Sequence, residues 1–360
     1  MIRNKSIFSL MLIIFIWLFY APVGIGIVFA QETADDPVTA EAFNDRGITY
    51  YDIRDYEQAI IDYDQALELN PEYAIAYSNR GVAYNALGNY KQAIADQDQA
   101  LILDPEFVDA YVNRGVTYHA MGDYKQAIAD YDQALTLAPD DIEAYYNRGT
   151  AYALFGDFEQ ALADFDQALE LDPEFAETYY NRGVVFVMFG DYEQALADFD
   201  QALELDPEHV GAYNNRGTIY SEIDNFEQAL ADYDQALELD PEFAETYFNR
   251  GVVYNVLGNF EQALADYDQA LELDPKFTDA YYNRGTIYGR LGNYEQSISD
   301  YDQALVLNPE FAEAYNNRGI AYYLLGDTEA ALSDWNQAEA LGYDLDPLIQ
   351  DTRDDLQVGN

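Results

Sequence analysis

Apolar and polar residues follow a helical spacing along most of this chain, and the pattern returns every 34 residues. With position 1 at Ala40, Ala74, Val108, Ile142, Ala176, Val210, Ala244, Thr278 and Ala312, nine units run from Ala40 to Leu345 without an insertion. Within a unit, position 4 is aromatic, 8 is Gly, 11 is aromatic, 20 is Ala except Ser297, 24 is aromatic except Gln97, and 27 is Ala. Positions 4, 8 and 11, and again 20, 24 and 27, keep the three-to-four-residue step of one helix face. Each unit therefore predicts two helices, A and B, and no strand.

The residues between the stripes supply the punctuation. Gly at position 15 in seven units closes helix A, and Asp or Asn at 16 with Gln at 19 makes a variant capping box that opens helix B. An Asp or Asn at position 31, replaced by Ala138 once in the first eight units, precedes Pro at 32. That pair is expected to cap and open the next helix A. A mid-helix Gly costs about 1 kcal/mol against Ala. Its ninefold recurrence at position 8 implies that another helix backbone comes close there.

The succession aromatic, Gly, aromatic, Ala, aromatic, Ala, Pro in a 34-residue helix-turn-helix resembles the tetratricopeptide repeat, from Ala40 to Leu345. The resemblance implies an all-α, right-handed α-solenoid of nine helix-turn-helix units whose A helices line a concave, peptide-binding groove. Some positions depart from the family pattern. Position 7, often Leu in the family, is Arg throughout, and Arg54 and Asp224 stand where the turn Gly belongs in repeats 1 and 6. Repeat 9 carries Ala330, Trp335 and Tyr343 at pattern positions, so it reads as terminal, with residues 346–360 as a polar cap holding Leu348, Ile349 and Leu356.

The repeated arginine needs an explanation, because it interrupts an apolar stripe through positions 4, 7, 8, 11 and 14. The residues are Arg46, Arg80, Arg114, Arg148, Arg182, Arg216, Arg250, Arg284 and Arg318. An unpaired charge there would cost several kcal/mol. In an antiparallel hairpin turning near positions 15 and 16, position 7 lies level with positions 23 to 25. Position 23 is Asp in every unit: Asp62, Asp96, Asp130, Asp164, Asp198, Asp232, Asp266, Asp300 and Asp334. The expectation is a ladder in which each guanidinium pairs with the position-23 carboxylate of its own unit and meets the position-25 Asp of the preceding one. Asn336 replaces that last Asp only in repeat 9, which no further Arg follows. The competing reading is a solvated row with snorkelling arginines.

Composition narrows the function. A net charge of -50 offers no clustered cations for nucleic acid. The absence of cysteine excludes disulfides, thiolate metal sites and a cysteine nucleophile. His119 and His209 fall at unrelated repeat positions, so no His-based metal site or activated nucleophile assembles from them. The Asp-x-Asp pairs lie mid-helix on opposite flanks, unlike a calcium loop. The chain thus reads as non-catalytic, with no metal and no cofactor.

Binding is the better reading. Helix A positions 2, 5, 9, 12 and 13 vary while the framework repeats, and the resemblance puts such positions in the groove. The candidates are Tyr146, Leu154, Tyr180, Val184, Val187, Met188, Asn214, Phe248, Val252, Tyr282 and Thr286. Position 2 is mostly acidic, from Glu41 to Glu313. The family's Lys and Asn clamp for carboxylates lacks its basic partners here, apart from Arg290. The expected partner is an apolar or basic extended protein segment.

Residues 1–30 read as an export signal: Arg3 and Lys5 precede an uncharged run ending in Val28-Phe29-Ala30. A linker follows at 31–39. The expected location is periplasmic or secreted, and the alternative is a membrane anchor formed by residues 7–30 if the segment is not cleaved. A structural or self-associating solenoid without a peptide ligand is the remaining alternative.

Overall fold

The structure, a computed structural model, describes residues 39–359. The expected signal and residues 31–38 of the linker lie outside the described residues, as does Asn360. Among the described residues there are nineteen α-helices, from α1 (Ala40–Asp52) and α2 (Tyr56–Leu69) to α18 (Thr328–Ala340) and α19 (Pro347–Gly359), and no strand. Odd-numbered helices up to α17 are the A helices, and the following even-numbered ones are their B partners. The chain divides after Pro207 into two compact units, the first holding α1 to α10 and the second α11 to α19. Each is a stack of helix-turn-helix pairs, an α-solenoid, in which every helix A packs on the helix B that follows it.

Helix B begins at position 17 in every repeat, as the punctuation predicts. Asp55, Asp123, Asp157 and Asp191 accept the N–H of the glutamine three residues on, at 3.2–3.4 Å. Asn89, Asn225, Asn259 and Asn293 make no side-chain cap bond at the same place. The turn before it is left-handed, as at Gly156 (φ 91°). Arg54 (φ 62°) and Asp224 (φ 61°) adopt that conformation despite their side chains, which costs roughly 1–2 kcal/mol each.

The Asp-Pro pair has a different job from the one expected. Position 31 ends helix B, and helix A starts only at position 1 of the next repeat. Asn70, Asp104, Asp172, Asp240, Asp274 and Asn308 each accept the N–H of the residue two positions on, at 2.9–3.1 Å. This is an Asx turn with proline pre-set at its second residue. The residue before helix A is aromatic in most repeats and gives no side-chain cap; Thr39, Asp141 and His209 do, accepting from Ala42, Ala144 and Ala212.

The glycine at position 8 also answers to a nearer neighbour than a helix backbone. A Cβ on Gly115 would lie 2.6 Å from Cε1 of Tyr131, and one on Gly47 would lie 2.5 Å from Cε1 of Tyr63. The position-24 side chain of the unit's own helix B, a ring in every repeat but the second, where it is Gln97, lies over the glycine. Position 14, assigned above to the apolar stripe, is instead exposed at Ile53, Met121, Phe155, Phe189, Ile223, Leu257, Leu291 and Leu325, because helix A ends there and turns away from helix B.

Beyond repeat 9 the tail forms α19. Ile349 and Leu356 pack on the Trp335 cluster, while Leu348 is exposed. Arg353 is buried and lies 2.9 Å from Glu339. Asn336, which takes the place of the position-25 aspartate, accepts a hydrogen bond from Gln357 at 3.1 Å, so the terminal helix occupies the place where a tenth arginine would reach.

Candidate binding surface

Two kinds of residue sit on the A helices, and the structure separates them. The first is the arginine row. In each repeat Nε and Nη2 donate to the two oxygens of the position-23 aspartate of the same repeat, sixteen residues on, as Arg148 does to Asp164 at 2.8 and 2.7 Å. Arg46 and Asp62, Arg80 and Asp96, Arg114 and Asp130, and Arg182 and Asp198 repeat that fork in the first unit. Arg216 and Asp232, Arg250 and Asp266, Arg284 and Asp300, and Arg318 and Asp334 do so in the second.

Nη1 then reaches across to the preceding repeat. Arg80, Arg114, Arg148 and Arg182 donate to Asp64, Asp98, Asp132 and Asp166 at 2.5–2.7 Å. Arg250, Arg284 and Arg318 donate to Asp234, Asp268 and Asp302 over the same range. The planar fork meets the inner carboxylate with two bonds and keeps one arm for the outer one. The ring at position 4 lies under the guanidinium at 5.4–5.6 Å, as for Arg80 over Tyr77 and Arg114 over Tyr111. The hydrogen bonds it donates to Asp130 push the Arg114 guanidinium well above its ordinary range, so the cation is held charged. Burial pushes the Asp130 carboxyl up, and the Arg114 bonds oppose that rise. Chemically the row is saturated with its own counter-ions, which makes it framework.

The second kind is the variable set expected to line the groove. Tyr146, Tyr180, Val184, Val187, Asn214, Phe248 and Val252 are buried, which corrects that expectation. Positions 5 and 9, and position 12 at Val187, flank the stripe on the side that meets a neighbouring helix A, so repeat-to-repeat stacking covers them. Tyr146 packs on Phe165 and Phe175, and Phe248 on Tyr267 and Phe277. Leu154, Tyr282 and Thr286 are half-buried, and Met188 is 48% exposed. Tyr282 and Thr286 are engaged internally: Thr286 Oγ1 bonds the Tyr282 carbonyl at 2.9 Å, and Asn317 donates to the Tyr282 hydroxyl at 3.0 Å.

That last bond belongs to a second ladder that sequence reasoning missed. The position-6 asparagine donates to the position-5 side chain of the preceding repeat, thirty-five residues back: Asn79 to Asn44, Asn113 to Ser78, Asn181 to Tyr146, Asn249 to Asn214. The recurrence of Asn in eight units was the available signal.

What stays accessible on the A helices is position 13 at their C-terminal ends, with Tyr323 at position 12, and the acidic row at position 2. Met188 in the first unit and Val256, Tyr323 and Leu324 in the second are exposed apolar groups. In the acidic row, burial followed by the neighbouring Asp141 raises Asp109, and burial, Asp141 and Asp109 together raise Glu143. Burial raises Asp279 likewise. Buried histidine offers no chemistry at this surface: His119 is pushed down to about 4 by burial alone. Among the described residues no cluster of three or more His, Cys, Asp or Glu is placed to hold a metal ion, and no helix is long and apolar enough to cross a membrane.

Family models of the tetratricopeptide repeat match residues 44–107, 146–210 and 180–222, 106–174, 210–243 and 244–277, and 266–299; a TPR repeat model matches 287–326. No curated protein matches the chain. Among solved structures, the APC/C hetero-tetramer Cut9-Hcn1 is similar at 15% identity over 88% of this chain and 76% of that one, with a TM-score of 0.55. A tetratricopeptide repeat protein from Parabacteroides merdae ATCC 43184 is similar at 22% identity, covering 71% of this chain and 98% of that one, with a TM-score of 0.53. YrrB, described as a TPR protein with an unusual peptide-binding site, shares 29% identity over 51% of this chain and 95% of that one, with a TM-score of 0.42.

Proposed function

The chain belongs to the tetratricopeptide repeat family, and on that premise we propose that it is a non-catalytic interaction scaffold that holds an extended segment of a partner protein along the exposed ends of its A helices. The observation that carries this reading is the set of exposed apolar side chains at position 13, Met188 in one unit and Val256 and Leu324 in the other, in a row that also holds Asp52, Glu222 and Arg290, with a mostly acidic row at position 2. Isolated apolar side chains at a surface are ordinary, but large ones that return at one position of a repeat, as Val256 and Leu324 do within the second unit, suit a contact surface. The net charge of -50 favours a basic or apolar segment over an acidic one, through complementarity and faster encounter.

The export features at the N-terminus support action in the periplasm or outside the cell, with membrane attachment through residues 7–30 if the segment is retained. Sequencing the N-terminus of the chain purified from its native cells distinguishes the two, since cleavage leaves Gln31 first. The groove is tested by capture from the native envelope with the chain carrying Met188→Asp, Val256→Asp and Leu324→Asp. Loss of the retained proteins is expected there, and no loss with Ile61→Asp on an exposed face of helix B. Equal retention by all three baits rejects the helix A surface.

A further inference from the structure

Position 18, the second residue of helix B, carries a charge at the edge where each repeat turns from A to B, except in the last detail of its sign. It is Glu in seven repeats and Lys in two neighbouring ones, Lys91 on α4 (Tyr90–Leu103) and Lys125 on α6 (Tyr124–Leu137). The next two repeats have Glu159 on α8 (Phe158–Leu171) and Glu193 on α10 (Tyr192–Leu205). All four residues are exposed. Nothing inside the fold calls for the lysines, since among the described residues neither makes an ion pair or a side-chain hydrogen bond.

Four residues earlier, at the same edge, position 14 exposes Met121, Phe155 and Phe189. Phe189 rests edge-on against Phe158 of the preceding repeat, with ring centroids 5.8 Å apart, which holds it at the edge. Exposed apolar groups bordered by charges of both signs make a contact surface. The order of those charges selects the occupant. Over repeats 2 to 5 it runs plus, plus, minus, minus, and such a row is its own complement when turned about a two-fold axis between repeats 3 and 4.

We propose that this edge is the interface of a two-fold dimer of this chain. Lys125 meets Glu159 of the second copy, Lys91 meets its Glu193, and Met121 packs against its Phe155, a favourable contact between a thioether and a ring. Each lysine is used on both copies, so the register gives four ion pairs. Pairing in the same direction puts Lys on Lys and Glu on Glu, and sliding that arrangement by two repeats recovers only two pairs. A net charge of -50 on each copy opposes association, so a contact is favoured where cations interrupt the acidic row. At physiological salt the Debye length is about 8 Å, which screens the long-range repulsion more than the pairs in contact. Exposed pairs contribute little each, and a strip along one edge lies at the low end of interface sizes, below about 1,200 Å², so the dimer is weak and reversible. The inference does not rest on the scaffold reading, because its anchors are position-18 charges and that reading uses position 13.

The test is sedimentation velocity of the full chain from about 1 to 200 µM, where a monomer–dimer equilibrium is expected. The double variants Lys91→Glu with Lys125→Glu, and Glu159→Lys with Glu193→Lys, should each dimerise at least tenfold more weakly with an unchanged Tm, since all four positions are exposed. Mixed together, the two variants should form a heterodimer at least as tight as the parent dimer, because an all-acidic edge then meets an all-basic one. The register is read by two further chains: Lys125→Glu with Glu159→Lys should dimerise as the parent does, and Lys125→Glu with Glu193→Lys should not. A chain that stays monomeric over the whole range, association that the reversals leave unchanged, or growth beyond a dimer overturns the proposal. A monomeric chain that co-sediments with phosphatidylglycerol vesicles, and loses them with Lys91→Glu and Lys125→Glu, also overturns it and assigns the lysines to a membrane surface.

Discussion

Repeats 4 and 5 and repeat 2 share one frame and fill it with opposite materials. All three have the same arginine fork, Arg148 with Asp164, Arg182 with Asp198 and Arg80 with Asp96, each with a third bond to the preceding repeat. Behind that fork, repeats 4 and 5 pair aromatic rings across helices A and B, Tyr146 on Phe165 and Tyr180 on Phe199, with centroids 6.3 and 5.9 Å apart. Repeat 2 has Ser78 and Gln97 in the same two places, both fully buried. Gln97 donates to the Ser78 carbonyl at 2.9 Å and Asn113 donates to its hydroxyl at 3.2 Å, while the Gln97 and Asn113 side-chain oxygens are buried without a partner. An aromatic pair contributes area and about 0.5–1.5 kcal/mol beyond it, whereas each buried unsatisfied polar atom costs about 1–3 kcal/mol. The ladder therefore sets geometry, and the position-5 and position-24 filling sets how stable each repeat is within it.

The largest test of that division removes the ladder in both places. Asp96→Ala and Asp164→Ala are each expected to cost about 1.5–3 kcal/mol, because a half-buried guanidinium loses its forked partner and keeps only the outer carboxylate; urea unfolding followed by circular dichroism measures it. Equal losses fit a common frame, and a much smaller loss in repeat 2 breaks the comparison. The outer carboxylate is a control within the same row: the Asp132 side chain is 48% exposed against 8% for Asp164, so Asp132→Ala should cost only about 0–1 kcal/mol.

Next in size is a transplant. Gln97→Phe gives repeat 2 the residue that repeats 4 and 5 use, removes an unpartnered oxygen and is expected to stabilise by about 1–2 kcal/mol in the same assay. A loss of stability would show that the amide network, and not an aromatic, is what this interior accommodates. A finer probe compares tyrosines at position 24. The Tyr131 hydroxyl is buried without a partner, whereas that of Tyr233 lies 3.2 Å from Thr218 Oγ1. Tyr131→Phe should be neutral or stabilising by up to about 1 kcal/mol, and Tyr233→Phe should lose about as much.

The smallest effect is a pH dependence. Asp109, Glu143 and Asp279 have raised values in the folded chain, so the native state binds their protons more readily than the unfolded one. Their contribution is full in acid and lost as pH rises through those raised values, so Tm should climb as pH falls from 7 toward the upper carboxylate range. His119 opposes this: its value is depressed from 6.5 to about 4, so stability is lost as pH falls through that interval. The climb should be larger in His119→Asn, and a Tm that only falls on acidification rejects the assignment.

Much of this was legible from residues alone. The helix pairs follow from the spacing of rings, glycines and alanines, and the arginine pairing from a hairpin whose turn brings position 7 level with position 23. The position-6 asparagine ladder was not legible, because its acceptor lies on another repeat and changes from Asn to Ser to Tyr. The groove was read too deep for a related reason: Tyr146, Phe248 and Val252 look like exposed variation on an isolated helix. The Asp-Pro pair was assigned to the start of helix A because cap and Asx turn use the same residue types, and only the backbone path tells them apart.

The sequence by itself determined the number of repeats, the helix type and the charges that must meet, since all of these rest on local spacing and on the short reach of a hairpin. Only the tertiary structure decided which variable side chains are covered and that Arg54 and Asp224 adopt a left-handed turn. Burial is a property of the neighbouring repeat's surface as much as of the residue, and that surface is set by how successive repeats stack.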